Sequence, residues 1–280
     1  MAESVSFPSQ RNRIRKSYVD VVLGDNRLQI HFREAGDRCL PPLLLLHQSP
    51  SSSVMYVAMM QQLAGHFWLL APDTPGFGGS DCFELDRPVE VSDYAAAMKA
   101  FLDVMGIGPC FVFGHHTGAS VAVQLGYDFT DTIKAMSLSG PTYLSAELKV
   151  ALPGLAETFP LQDDGGHLLS MWKRIRAKDP QADLRLSLRE TLLAFSCDGN
   201  YPQAYAAVVR QPFAQQLATL KCPVQVFAGD QDPLSDSVDP TLEVLEKGER
   251  ASVSHGSRTY VCDRQAAEVS GLLKGFFLKC

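Results

Sequence analysis

The chain has 280 residues, of which 46% are hydrophobic and 20% charged, with a formal net charge of -6. That length is enough to bury a large core, and the acidic balance excludes a nucleic-acid footprint; the only basic run is RNRIRK at residues 11–16. No window reaches the roughly 18 uninterrupted apolar residues of a membrane span, and MAESVSFPSQ lacks the apolar centre of a signal peptide, so a cytosolic chain with no membrane partner is expected. Seven cysteines without CxxC spacing predict neither a disulfide framework nor a zinc site; most are expected to be small buried hydrophobes.

In chain order, residues 1–16 are expected to form a flexible, solvated arm. SYVDVVL (17–23) and RLQIHFREAG (27–36) flank GDN, which predicts a hairpin. The apolar runs that follow, LLLLH (43–47), FWLLAPD (67–73), CFVFG (110–114), IKAMSLSG (133–140) and VQVFAGD (224–230), do not alternate. That pattern suits parallel strands covered on both faces. Helical spacing separates them at 91–107, with Ser92 as the expected N-cap and Gly106 as the stop, and again at 117–127 and 264–278. Strand and helix in alternation imply an α/β protein with a doubly wound, mostly parallel sheet, whose ligands bind beyond the carboxyl ends of the strands.

Residues 142–215 break that rhythm. They carry helical periodicity, clearest in LLSMWKRIRAKD (168–179) and ADLRLSLRETLLAF (182–195), and predict a helical cap inserted before the strand at 224, with VALPGLAETFP leading into it. The core is then expected over 17–141 and 216–280. Phe159, Trp172 and Tyr205 are the expected substrate contacts, from an aromatic set that also includes Phe195 and Tyr201. Lys173, Arg174 and Arg176 are read as a solvated helix face in preference to an anion site.

Gly114-His115-His116-Thr117-Gly118 lies between an apolar strand and an Ala-containing helix. A G-x-x-x-G frame there describes a sharp elbow: the glycines let strand and helix approach, and the central side chain is lifted above the sheet beside the new helix's N–H groups. With this frame, LLLLHQSPSSS, APDTPGFGGSD and VFAGDQDPL resemble, in order, the landmark segments of the α/β-hydrolase fold superfamily. The likeness is greatest to its capped branch of epoxide hydrolases, haloalkane dehalogenases and carbon–carbon bond hydrolases, and it spans most of residues 17–278.

The resemblance implies an α/β-hydrolase fold and an enzyme acting on a mid-sized, partly apolar small molecule without cofactor or metal, with a homodimer left open. It implies an elbow residue at His116, an acid at Asp232 (Asp230 the runner-up) and a base at His255, with oxyanion donors from Gln48, Ser49 and Thr117. Two positions depart from the family pattern: His116 replaces the usual Ser, Asp or Cys, and Gln48 the usual Gly of the oxyanion loop. His115 is read as structural, and Asp73 and Ser80 as turn formers.

The atypical triad His116-Asp232-His255 then suits hydrolysis of an ester, lactone or activated C–C bond. The alternatives are a lyase, decarboxylase, cyclase or cofactor-free oxygenase that uses the two imidazoles for proton transfer, or a ligand-binding pseudoenzyme.

Overall fold

The computed structural model describes residues 13–280, so residues 1–12 of the expected arm lie outside the described residues. The arm is shorter than expected at its other end. Strand β1 (Arg15–Leu23) already contains Arg15 and Lys16, because Arg15 pairs with Glu34 of β2 (Asn26–Ala35) in an antiparallel ladder. Gly24 and Asp25 close this hairpin between Leu23 and Asn26, with Gly24 at φ +59°.

The remaining elements run β3 (Pro42–Leu46), α1 (Val57–Leu63), β4 (Trp68–Pro72), α2 (Val91–Val104), β5 (Cys110–His115), α3 (Thr117–Asp128), β6 (Ile133–Ser139), α4 (Ala146–Leu155), α5 (Gly166–Lys178), α6 (Leu184–Ser196), α7 (Asn200–Arg210), α8 (Phe213–Leu217), β7 (Val224–Phe227), α9 (Val238–Val244), β8 (Gly248–Arg250), α10 (Val261–Arg264) and α11 (Ala266–Phe277). The strands form one sheet in the order β1-β2-β4-β3-β5-β6-β7-β8, antiparallel over β1-β2-β4 and parallel from β4 to β8.

The apolar runs fail to alternate because both faces of each central strand are covered. Leu44 and Leu46 of β3 join Tyr94, Met98 and Phe101 of α2 on one face, while Leu43 and Leu45 join Met59, Met60 and Leu63 of α1 with Leu273 and Phe276 of α11 on the other. Two apolar layers per strand cost water contact on neither side, and the sheet is sealed between helices.

Several local expectations are corrected. Helix α2 starts at Val91 behind Glu90, whose N–H donates to the Asp93 carboxylate at 2.8 Å, so Ser92 lies within the first turn and is not the cap. Among the described residues the seven cysteines are free, but only Cys110, Cys197 and Cys262 are buried, while Cys39, Cys82 and Cys280 are exposed. Strand β8, of sequence GER and exposed throughout, carries no apolar pattern and could not be read from periodicity. Among the described residues no helix is long and apolar enough to cross a membrane.

Residues between β6 and β7 form α4 to α8, and α4, α5 and α7 stand over the end of β5. They are fastened to the sheet side by ion pairs: Arg189 of α6 grips Asp263 of α10 with contacts of 2.9 and 2.7 Å, and Arg264 donates to the fully buried Asp179 at 2.6 Å. The Glu190 carboxylate beside Arg189 accepts from the Ser51 hydroxyl at 3.3 Å, which links α6 to the loop after β3.

At the start of α3 the backbone itself is the contact. A Cβ on Gly118 would lie 1.9 Å from the Leu46 carbonyl oxygen, and one on Gly114 would lie 2.4 Å from that of Gly118. Neither obstacle is a flexible side chain, so Gly118→Ala must push β3 and α3 apart. We expect a loss of at least about 3 kcal/mol, seen as a fall in Tm of roughly 6–12 °C for a domain of this size; a Tm within about 1 °C of wild type would contradict the close-approach reading.

Candidate active site

His116 is one of two non-glycine residues with positive φ among the described residues, at φ 49°, ψ -114°. It sits between the last residue of β5 and the first of α3, and its N–H donates to the Ser139 carbonyl at 2.9 Å. The conformation is unfavourable for a residue with a Cβ and is held by the packing on either side. Its result is directional: the imidazole stands above the carboxyl ends of the strands, in the wall of a cavity.

There His116 Nε2 lies 2.9 Å from Asp232 Oδ2, and the other carboxylate oxygen accepts from the Leu234 N–H at 2.8 Å. Gly140, at φ +58°, makes room for the ring, since a Cβ there would lie 2.4 Å from His116 Cδ2. Burial alone would raise the Asp232 carboxyl. The charge and hydrogen bond of His116, helped by the Leu234 N–H, outweigh it and hold the carboxyl below its ordinary value. A carboxylate that stays ionised supports the proton on the imidazole nitrogen facing it.

His115 is wholly buried with its ring centroid 4.2 Å from that of His116. Its Nε2–H donates to the Thr259 carbonyl at 2.9 Å, so Nδ1 accepts from the Ser139 hydroxyl at 3.0 Å. Burial, reinforced by the neighbouring His116, lowers its pKa to about 3. A neutral ring locked at both nitrogens is a support under His116, in keeping with its structural reading.

The third expected member is elsewhere. The His255 side chain is 91% exposed and its Nδ1 lies 2.5 Å from Asp230 Oδ2, outside the cavity wall. Thr259 occupies the C-terminal side of the cavity instead. The expected convergence of His116, Asp232 and His255 is therefore corrected. The loop after β8 turns at Gly256, whose N–H donates to Asp230 Oδ1 at 2.7 Å, and this second contact keeps the SHG segment at the surface with Asp230. The runner-up acid thus faces the surface histidine while Asp232 faces the elbow.

Of the oxyanion candidates, Gln48 and Ser49 are buried beside the elbow. The Ser49 N–H is already committed, donating to Thr117 Oγ1 at 2.9 Å, and the Ala119 and Ser120 N–H groups donate to the His116 carbonyl, so the Thr117 hydroxyl proton and the Thr117 and Gly118 N–H groups are donors at the start of α3. His47 is structural: its Nδ1–H donates to the Gln48 carbonyl at 2.8 Å and its Nε2 accepts from the Thr74 N–H at 2.9 Å. Asp73, although burial would raise it, is held at about 2 chiefly by the His31 hydrogen bond, with His47 and the Ser53 and Gly79 N–H groups adding to it. Ser80 Oγ donates to the Asp73 carbonyl at 2.7 Å. Both residues therefore shape the turn, as expected.

The cavity has a volume of about 350 Å3. Tyr205 lines it, but Phe159 and Trp172 do not. On α5, Met171 and Ile175 face the cap core and Arg174, Ala177 and Lys178 face the cavity. The 100° step per residue then turns Trp172 to the flank away from Arg174, and Phe159 packs against the cap core. Sequence reasoning did not single out Leu144, Leu148 and Leu152, which form the apolar wall, or Lys178 and Thr259. The leucines of α4 carried helical spacing; Lys178 and Thr259 carried no signal.

A buried acid clasping an imidazole on a strand-to-helix elbow thus stands beneath helices inserted above a doubly wound, mostly parallel sheet. The family model described as alpha/beta hydrolase fold matches residues 41–240, and the chain belongs to that family. It is 30% identical over 123 residues to a haloalkane dehalogenase of Mycobacterium marinum, a match covering 41% of this chain and 40% of that protein. The chain thus spans less than half the length of that relative.

Similar solved structures include a thermophilic esterase from Thermogutta terrifontis, with TM-score 0.77, 17% identity and coverage of 95% of this chain and 98% of that one. An enol-lactonase from Burkholderia xenovorans has TM-score 0.76, 16% identity and coverage of 94% and 100%. At these identities the structures show a shared fold.

The two lowered pKa values act in the same direction on stability. Below pH 6.5 the unfolded chain protonates residue 115 while the folded chain does not until about pH 3, so stability falls on acidification through that window. Asp232, whose folded pKa is also lowered, adds stability above its unfolded value and loses it as the pH falls further. His115→Gln is expected to flatten the decline between pH 6.5 and 4, where the wild-type slope owes up to about 1.4 kcal/mol per pH unit to this group. Chemical denaturation at several pH values checks this, and parallel pH profiles for the two proteins would refute it.

Proposed function

We propose that this protein hydrolyses a carboxylic ester or lactone, with His116 and Asp232 acting as a dyad that activates water. The observation that carries the reading is the 2.9 Å contact between His116 Nε2 and Asp232 Oδ2 at the floor of the cavity. In the neutral ring, Nε2–H donates to Asp232, and Nδ1 is left with the lone pair.

A water on Nδ1 gives up its proton to that nitrogen as its oxygen bonds to the acyl carbon. The carbonyl π electrons move onto oxygen, and Asp232 stabilises the resulting imidazolium without taking its proton. The oxyanion takes hydrogen bonds from the Thr117 hydroxyl and from the N–H groups at the start of α3. On collapse the acyl C–O bond breaks, and the proton on Nδ1 passes to the departing alkoxide, giving acid and alcohol. The regenerated ring is held against rotation by Gly140 and His115.

This reading keeps the elbow and the acid of the resemblance and drops His255, which forms a surface pair with Asp230. The esterase and enol-lactonase named above lend the reaction class; the chemistry of the residues lends the mechanism. With 4-nitrophenyl butyrate as substrate, His116→Ala and Asp232→Asn should each lower kcat by about 10²- to 10⁴-fold, the usual contribution of a positioned acid–base group. His255→Ala should leave kcat unchanged. Steady-state kinetics on folded variants checks this. Full activity in His116→Ala, or no wild-type turnover across a panel of activated esters and lactones, would rule the dyad mechanism out.

A further inference from the structure

Arg174 and Lys178 stand one turn apart on α5 and both line the cavity, in a wall otherwise dominated by Leu148 and Leu152 of α4 and Val208 of α7. Both are half-buried, and their partners are neutral. The Arg174 guanidinium lies 4.1 Å from the Phe159 ring centroid and donates to the Glu157 carbonyl. The Lys178 ammonium donates to the Tyr201 hydroxyl at 3.4 Å and sits 5.7 Å from that ring's centroid.

Among the described residues neither cation has a carboxylate within ion-pair distance, unlike Arg189 and Arg264 nearby. Arg189 has Asp263 and Glu190, Arg264 has Asp179, and Arg176 donates to the carbonyls of Ala182 and Pro180. The cations that join the inserted helices to α10, Arg189 and Arg264, are thus neutralised by acids, whereas the two at the apolar cavity have no acid beside them. A cation drawn out of water against leucines is costly unless an anion completes the site.

The contacts also order the cavity from end to end. The Tyr205 hydroxyl lies 3.4 Å from the Ser49 carbonyl beside the elbow, the Tyr201 ring packs edge-on at 4.9 Å, and Lys178 stands over Tyr201. The cations are therefore separated from the elbow loop by two aromatic rings.

We propose that the cavity selects an anionic amphiphile. Its carboxylate pairs with Arg174 and Lys178, its apolar chain lies along Leu148 and Leu152, and its ester or lactone carbonyl reaches His116. A cavity of about 350 Å3 falls in the size range of small-molecule sites, which suits a half-ester of a medium-chain dicarboxylic acid. The position of the reacting carbonyl rests on the hydrolase reading above; the anion site does not.

The test is binding of octanoate and of 1-octanol to the full chain by calorimetry at low and high salt. Wild type should bind octanoate at least about tenfold more tightly than octanol, with the preference shrinking as screening increases. Arg174→Gln/Lys178→Gln should abolish the preference while leaving octanol affinity unchanged, and the charge-conserving Arg174→Lys should retain most of it. Circular dichroism confirms that each variant is folded.

Equal affinities in wild type, a preference that survives the double substitution, or binding of neither probe overturns the anion site. The catalytic reading fails separately. Octanoate selection in wild type and in Asp232→Asn, without turnover of any ester, leaves the anion site standing and removes the hydrolase; turnover of neutral and anionic esters with equal KM does the reverse.

Discussion

The site depends on a steric constraint. Strand β5 must hand over to α3 without room for a side chain on Gly114 or Gly118, because the backbone of Leu46 on one side and that of α3 on the other occupy the space. That contact fixes the path of the chain through residue 116 and holds it at positive φ. Strain at a single residue is tolerable because many buried contacts of α3 with β5 and its neighbours oppose its release. In return the imidazole is presented above the sheet, in the wall of the cavity.

An imidazole in that position changes which partner the acid can reach. A short hydroxyl at the elbow needs a separate histidine to bridge to the carboxylate, whereas the longer His116 side chain contacts Asp232 directly. The space across the cavity is closed by Thr259, whose carbonyl is tied down by His115, and the loop carrying His255 is drawn to the surface by Asp230. Two histidines adjacent in sequence thereby take separate parts: one is neutral, buried and fixed at both nitrogens, the other faces the cavity with an ionised carboxylate at its back.

The helices above the site are attached in a different manner from the core. The sheet is sealed by apolar layers, whereas α5 and α6 meet the α10 region through a small cluster of Met171, Ile175, Ala194 and Tyr260 together with the Arg189 and Arg264 ion pairs. Such pairs give less net stability than equivalent apolar contact, yet they specify one docking position, because displacement strands a buried charge. That registry sets which face of α5 looks into the cavity, and so places Arg174 and Lys178 there while Trp172 turns aside.

The sequence by itself determined the central strands β3 to β7, where unalternating apolar runs mark cover on both faces, and the elbow, since glycines at 114 and 118 bracket a strand-to-helix change. Through the resemblance, the segment GDQDP also pointed to Asp232 ahead of Asp230 as the carboxylate at the elbow, and Asp232 is the one that contacts His116. Only the tertiary structure decided that His255 stays outside, that Lys178 and Thr259 line the cavity, and that Phe159 carries Arg174 in place of touching ligand. The physical reason is range. Backbone preference and burial pattern are local and leave a trace every two to four residues, whereas convergence of side chains from β5, the loop after β7 and the C-terminal loop is set by how whole elements dock.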